Sequence, residues 1–393
     1  MLLKSSSARA TRAKVLALLM GVLCLGAILP ASASAMSAAA VTGWHQTWGT
    51  NGRVSAILAD PATGRVYVAG SFTAVTDPSG GASLPIAHLA AFIPATGRFD
   101  KSWRPDPKGT VNALALSGGR LYLGGDFTQV ARQHRSHLAS VDPAGAGALT
   151  SWAPAVAGGT VDALAVSGGR VYVGGNFTSL GGVGQGHVGR VGVSTGALDT
   201  GWAPRVNGQV RSLVASGDGS RVYLGGNFTT VNGNGTGRSI ASLSAAAPAT
   251  LTPGFNAGPT NAGKEPPVYS LYLDGSDLLA AVGGAGGGCA ALNAGSGATR
   301  WSKHTNGNVH AVTAMSGTVY CGGHFDGPGS FGGQIRNKLA AVDESTGQLL
   351  GFSLRVNSSL GIWALGHDST RVYLGGDFTL LNGRPQPHFA VLS

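Results

Sequence analysis

Four histidines stand at matching places in this chain. His88, His137, His187 and His388 each follow a polar residue within the same copy of a repeated motif, namely Ser71, Asp126, Asn176 and Asp377. An imidazole near a carboxylate is what a metal centre or an acid–base pair would use. The spacing argues for something plainer. Successive pairs lie about fifty residues apart, one to a repeat. With strands roughly 4.8 Å apart, equivalent places on neighbouring repeats should be well over 10 Å apart, whereas zinc takes nitrogens at about 2.0–2.1 Å. The pairs are therefore expected to tie loops locally: Asp126 with His137, Asn176 with His187, and Asp377 with His388. No metal and no other cofactor is expected.

A second set of residues breaks the monotony of the repeats. The second residue of the first strand in each copy is Ser55, Asn112, Asp162, Arg211, Tyr269, His310 or Trp363, while its neighbours stay Val, Ala and Leu. Different polar and aromatic groups brought together at one end of a channel would make a ligand pocket. Side chains that only solvate the channel mouth would look the same. Asp162 is the one acid in this set, and glycoside hydrolysis normally needs two carboxylates at a defined separation. No H-E-x-x-H, phosphate-loop or D-x-D-x-D-G calcium pattern occurs, and no ligand set for a quinone or copper is recognisable. No catalytic residue is assigned. A glycan-active hydrolase or lyase with its site at the channel mouth is the alternative to a non-catalytic binding module.

Cys289 and Cys321 lie on neighbouring repeats. In an oxidising compartment they can form a disulfide, or they can remain two buried thiols; the spacing fits no redox or metal motif.

The elements that must position these residues come from the repeat itself. Residues 171–178 read VYVGGNFT; related octets are VYVAGSFT at 66–73, LYLGGDFT at 121–128, VYLGGNFT at 222–229, VYCGGHFD at 319–326 and VYLGGDFT at 372–379. A decayed copy ends at Val282-Gly283-Gly284, with Ala285 and Gly288 in place of the polar pair. A repeat of this length is one supersecondary unit that cannot bury its apolar face alone. In the second copy, alternating residues 111–116, the turn Ser117-Gly118-Gly119, residues 120–125, residues 137–142 and residues 148–152 read as four strands. Units are placed at 54–103, 111–152, 161–202, 210–255, 268–301, 309–352 and 362–392. The last lacks a fourth strand, and the segment 41–48, whose Thr42-Gly43-Trp44 matches Thr200-Gly201-Trp202, can supply it. The expected fold is all-β: a seven-bladed β-propeller of four-stranded blades, closed by an N-terminal strand that completes the C-terminal blade. The paired glycines are expected to accommodate the flat ring of a neighbouring unit's Trp103, Trp152 or Trp202, and Tyr122 and Phe127 to pack between units.

The repeat Tyr-x-Gly-Gly-[Asp/Asn]-Phe-Thr, followed by an apolar strand and a Thr-Gly turn, resembles the bacterial delta-sixty repeat of β-propellers. It is also similar to the propeller of fungal cortical polarity markers and, in its paired glycines, to kelch repeats. The resemblance covers nearly all of the chain after residue 35. It implies binding or cell-surface roles rather than one chemistry.

The first 35 residues read as a signal peptide. Lys4, Arg9, Arg12 and Lys14 precede an apolar run at 15–30 and an Ala33-Ser34-Ala35 cleavage site. Loss of those four basic residues takes the formal charge from +10 to +6. With no dense Lys/Arg run, no nucleic acid is expected as a partner, and no transmembrane span is expected after cleavage. The sequence thus predicts a secreted, possibly wall-bound, monomeric scaffold whose partner is an extracellular protein or a cell-wall glycan.

Overall fold

The computed structural model describes residues 43–79, 81–257, 266–284 and 287–393. The signal-peptide segment and Ala285 lie outside them. The described residues form antiparallel strands and one short 3-10 turn at Gly235–Gly237. None of them forms a helix long and apolar enough to cross a membrane.

The second unit shows how the sequence builds each sheet. Its innermost strand, Val111–Ser117, reverses through Gly118 and Gly119, both with positive φ, into Arg120–Gly125. Two successive left-handed residues match the twist of a hairpin, which is why glycine fills both places. Arg120–Gly125 then pairs with Leu138–Val141. The same three-strand order recurs in each unit; in the last it runs Ile362–His367, Val372–Gly376, Phe389–Leu392. Innermost strands pack side by side in chain order, and Ile362–His367 also lies against Val54–Asp60. Each sheet is open.

The expected fourth strand is mostly reduced. It is six residues long in the fifth unit, Thr299–His304, two in the first, Arg98–Phe99, and a single bridge such as Val141 to Leu149 elsewhere. Side-chain turns cut it short: Asp100 accepts the Ser102 N–H at 2.8 Å, Thr150 the Trp152 N–H at 3.2 Å and Asp199 the Gly201 N–H at 3.1 Å. In the last sheet Trp44–His45 pairs with Phe389–Leu392, Trp44 opposite Leu392.

The core lies between neighbouring sheets. Trp103, Trp152 and Trp202 are fully buried, and each packs on the tyrosine of its own unit, Tyr67, Tyr122 or Tyr172, at 4.9–5.2 Å between ring centres. Their indole N–H groups reach across to the next unit, donating to the carbonyls of Asp142, Gly192 and Ser244 at 3.0, 2.9 and 2.8 Å. Tyr67, Tyr122 and Tyr223 do likewise, donating to the carbonyls of Pro143, Val193 and Ala294. In these units the aromatics are thus both filler and inter-sheet staple, with their polar tips satisfied.

The paired glycines serve a different purpose from the one expected. No tryptophan lies on them. A Cβ on Gly174 would meet Val210 of the next unit at 2.8 Å, and one on Gly175 would meet the Thr160 carbonyl at 2.1 Å. The first glycine lets the next sheet approach. The second makes room for a carbonyl that the Asn176 N–H must reach, at 3.2 Å.

The fifth unit departs from the sequence alignment as well. Pairing of Val268 with Val282 and of Ser270 with Ala281 puts Ala281-Val282, not Gly283-Gly284, at the double-glycine place. Leu279 takes the place of the tyrosine. Gly283, whose N–H donates to the Pro267 carbonyl at 2.9 Å, stands where Asp126 stands in the second unit. A disulfide joins Cys289 in this unit to Cys321 in the next, with Cα atoms 6.3 Å apart.

Candidate functional site at the channel mouth

Every residue of the variable set sits on a β-bulge. In the second unit Val111 faces Gly125 and Ala113 faces Gly124, so Asn112 has no partner. The same slip isolates Ser55, Asp162, Arg211, Tyr269, His310 and Trp363. A bulge releases one residue from the ladder and re-aims its side chain. The bulge turns one side chain per unit toward the centre, and it recurs in the fifth unit, where Ala281-Val282 stand in place of the glycine pair. All of these residues line one cavity of about 430 Å³.

The wall of this cavity has two unlike arcs. On one, Asp162 accepts hydrogen bonds from three neighbours: Gln209 at 2.7 Å, Thr160 at 2.9 Å and Asn112 at 3.4 Å. All of these donors are neutral. The other arc is aromatic and cationic. His310 stacks on Trp363 with ring centres 3.9 Å apart and planes within 9°, while Tyr269 meets His310 edge-on at 5.1 Å. The Arg53 guanidinium lies 4.3 Å from the Trp363 ring centre. Two groups that close must occupy opposite faces, so neither face of Trp363 is open to a ligand. Arg211 covers Tyr269 at 5.2 Å and donates to Asn227 at 3.3 Å.

Charge is unevenly compensated. Asp377 accepts both oxygens' bonds from Arg53 at 3.0 Å and a third from the Trp363 indole at 2.8 Å. This carboxylate is spoken for, which weakens its candidacy as a second acid for glycoside chemistry. Neither Asp162 nor Arg211 has an ion-pair partner among the described residues. His310 is buried with an unpartnered Nδ1. Burial, His324 and Arg53 push its pKa down to about 4, so the ring is neutral at neutral pH.

At the opposite end of the inner strands, Tyr272 and His367 line the same cavity. The Tyr272 hydroxyl lies 2.8 Å from Nε2 of His367, whose Nδ1 is 3.0 Å from the Asp368 carbonyl.

The expected loop ties need correction. Asp126 and His137 share no hydrogen bond, nor do Asn176 and His187, nor Asp377 and His388. The polar residue turns toward the bulge instead: Asn176 accepts from the Thr160 backbone at 2.6 Å, and Asp377 binds Arg53. The tie is made by the backbone at the histidine. His88, His137, His187 and His388 all have positive φ. The N–H of His137 donates to the Phe127 carbonyl, and its own carbonyl accepts from Gly125. Ser239 and Lys338 repeat the geometry with other side chains, so the imidazole is not what closes the loop. His88 and His388 place Nδ1 at 3.2 and 3.0 Å from the Gly70 and Gly376 carbonyls, while His137 and His187 leave it unpartnered.

Sequence reasoning missed Arg53, Thr160 and Gln209. Each stands two residues before a bulge residue and contacts a residue that lines the cavity, Asp162 or Trp363. Their variation from unit to unit, read two residues upstream of the ring, was the available signal.

No family model and no curated protein matches the chain. Among solved structures it is similar to the WD40 β-propeller domain of Doa1, with a TM-score of 0.56 and 11% identity, covering 90% of this chain and 97% of that one. It is also similar to the computationally designed Ika8 protein, with a TM-score of 0.49 and 12% identity, covering 90% of this chain and 98% of that one. At such identity the likeness to the WD40 domain speaks to fold alone. The chain is a β-propeller, a fold that commonly serves as a binding or scaffold module.

Proposed function

We propose that this protein is a secreted or cell-surface, non-catalytic binding propeller whose partner, an extracellular protein or a cell-wall glycan, engages the channel mouth. In this reading the propeller has seven blades, the strand at Trp44–His45 completes the last one, and the repeat is of the delta-sixty type. The observation that carries the proposal is the ring of bulges: a rigid, repeated scaffold that varies at the one residue per unit it presents to a shared cavity. The signal-like N-terminus and the Cys289–Cys321 bond suit an oxidising, extracellular setting.

The test is capture from the secretome and wall fraction of the source cells with immobilised protein, native against Arg211→Ala. Arg211 contributes no ion pair to the fold, so the substitution should leave the melting temperature within about 2 °C, as surface changes do, and abolish capture. Undiminished capture by the variant would reject the channel mouth as the binding face. Trp363 is a poorer probe, because it is stacked and hydrogen-bonded within the wall.

A further inference from the structure

We infer that the cavity at the channel mouth takes a small zwitterion, a free α-amino acid, with its ammonium on Asp162 and its carboxylate on Arg211. This rests on the cavity being a binding site.

The argument begins with the two uncompensated charges. Asp162 and Arg211 occupy the same bulge position on adjacent innermost strands, Val161–Ser167 and Val210–Ala215. Opposite charges so placed would ordinarily pair, yet no ion pair joins them. Each is drawn away from the other by neutral partners. Asn112, Thr160 and Gln209 hold the carboxylate. Asn227 and the Tyr269 ring hold the guanidinium on the opposite side. The result is a separated pair of opposite charges on one cavity wall, each with hydrogen-bonding capacity left. A carboxylate offers about four acceptor sites and three are filled; a guanidinium has five N–H donors and one is used. A ligand with one charge would satisfy only half of this wall.

Two other ligand classes fit less well. A quaternary or methylated ammonium seeks open aromatic faces, but Arg211 covers Tyr269, and Arg53 and His310 cover Trp363. A sugar ring stacked on Trp363 meets the same obstacle. The second cation near the mouth, Arg53, is neutralised by Asp377, so an anion alone finds only Arg211.

The test is titration calorimetry on the purified protein with free alanine, glutamine and phenylalanine, and with the N-acetyl and amide derivatives of each. At least one free amino acid should bind. Its N-acetyl and amide forms should each bind about tenfold more weakly or worse, since each loses one ionic contact. Asp162→Asn should erase the advantage of the free amine over the N-acetyl form, and Arg211→Gln that of the carboxylate over the amide. The arms on native protein need no variant to fold. If no free amino acid binds, or if either blocked form binds as well as the free one, the inference is overturned. Failure here with partner capture still sensitive to Arg211 rejects only the ligand class; loss of that sensitivity as well rejects the binding site.

Discussion

The third and fifth repeat units share one strand plan and one staple, since Trp301 of the fifth donates to the sixth unit's Glu344 carbonyl at 2.6 Å, but they differ in the contacts around it. In the third, Tyr172 and Trp202 are buried together and Trp202 donates to the next unit's Ser244 carbonyl. In the fifth, Leu279 replaces the tyrosine, Ala281-Val282 replace the glycines, and a disulfide links the unit to the sixth. Yet the bulge that presents Tyr269 matches the bulge that presents Asp162. The comparison separates two roles that the repeat motif merges. The bulged inner strand and the tryptophan staple recur in both units; the tyrosine is an adhesive that another contact can replace.

The largest expected effect tests the staple. Trp152→Ala should cost about 3–5 kcal/mol in denaturant unfolding, the usual range for a buried tryptophan. A loss under 1 kcal/mol would mean that the staple holds nothing. Removing the disulfide by Cys289→Ala with Cys321→Ala should cost about 3–4 kcal/mol, the chain-entropy value for residues 32 apart. If reduction leaves the unfolding midpoint unmoved, the disulfide does not stand in for the missing tyrosine.

Next in size is a pH effect centred on His310, which rests edge-on against the fifth unit's Tyr269. Folding lowers its pKa from 6.5 to about 4, so the unfolded chain takes up the proton first. Stability is fully present above pH 6.5 and is lost as pH falls toward 4, by roughly 3 kcal/mol. Glu344 acts in the opposite sense. Burial, with Asp274 and Asp277, raises its pKa to about 7, so its cost appears as pH rises from 4.5 toward 7. The two are separated by comparing native protein with His310→Phe: stability at pH 4 relative to that at pH 7 should rise in the variant, by roughly 3 kcal/mol. Parallel pH profiles would sink this assignment.

The smallest effect bears on the glycines. Gly174→Ala should cost about 1–3 kcal/mol, because the new methyl meets Val210. At the equivalent place the fifth unit already carries Ala281. There Ala281→Gly should cost only about 0.5–1 kcal/mol, from lost backbone restriction. A neutral Gly174→Ala would show that the neighbouring sheet yields, and that the glycine reflects something other than close approach.

Much of this protein is readable from residue order alone. Repetition at about fifty residues, alternation in segments such as 111–116 and glycine pairs at hairpin turns suffice for a repeated antiparallel architecture, because local sterics and the two-residue period of a strand dictate both. The variable places at Asn112, Asp162 and Arg211 also stand out without any coordinates. What those places touch does not. A bulge adds one residue and reverses the facing of everything beside it. Residue spacing therefore could not reveal that Asp377 turns to Arg53 rather than His388, that Asn176 turns to Thr160, or that the fifth unit is shifted by two residues. Those partners lie up to 324 residues apart in the chain and meet only when neighbouring sheets pack. The charges left over at Asp162 and Arg211 are a product of that packing, decided by which neutral neighbours reach them first.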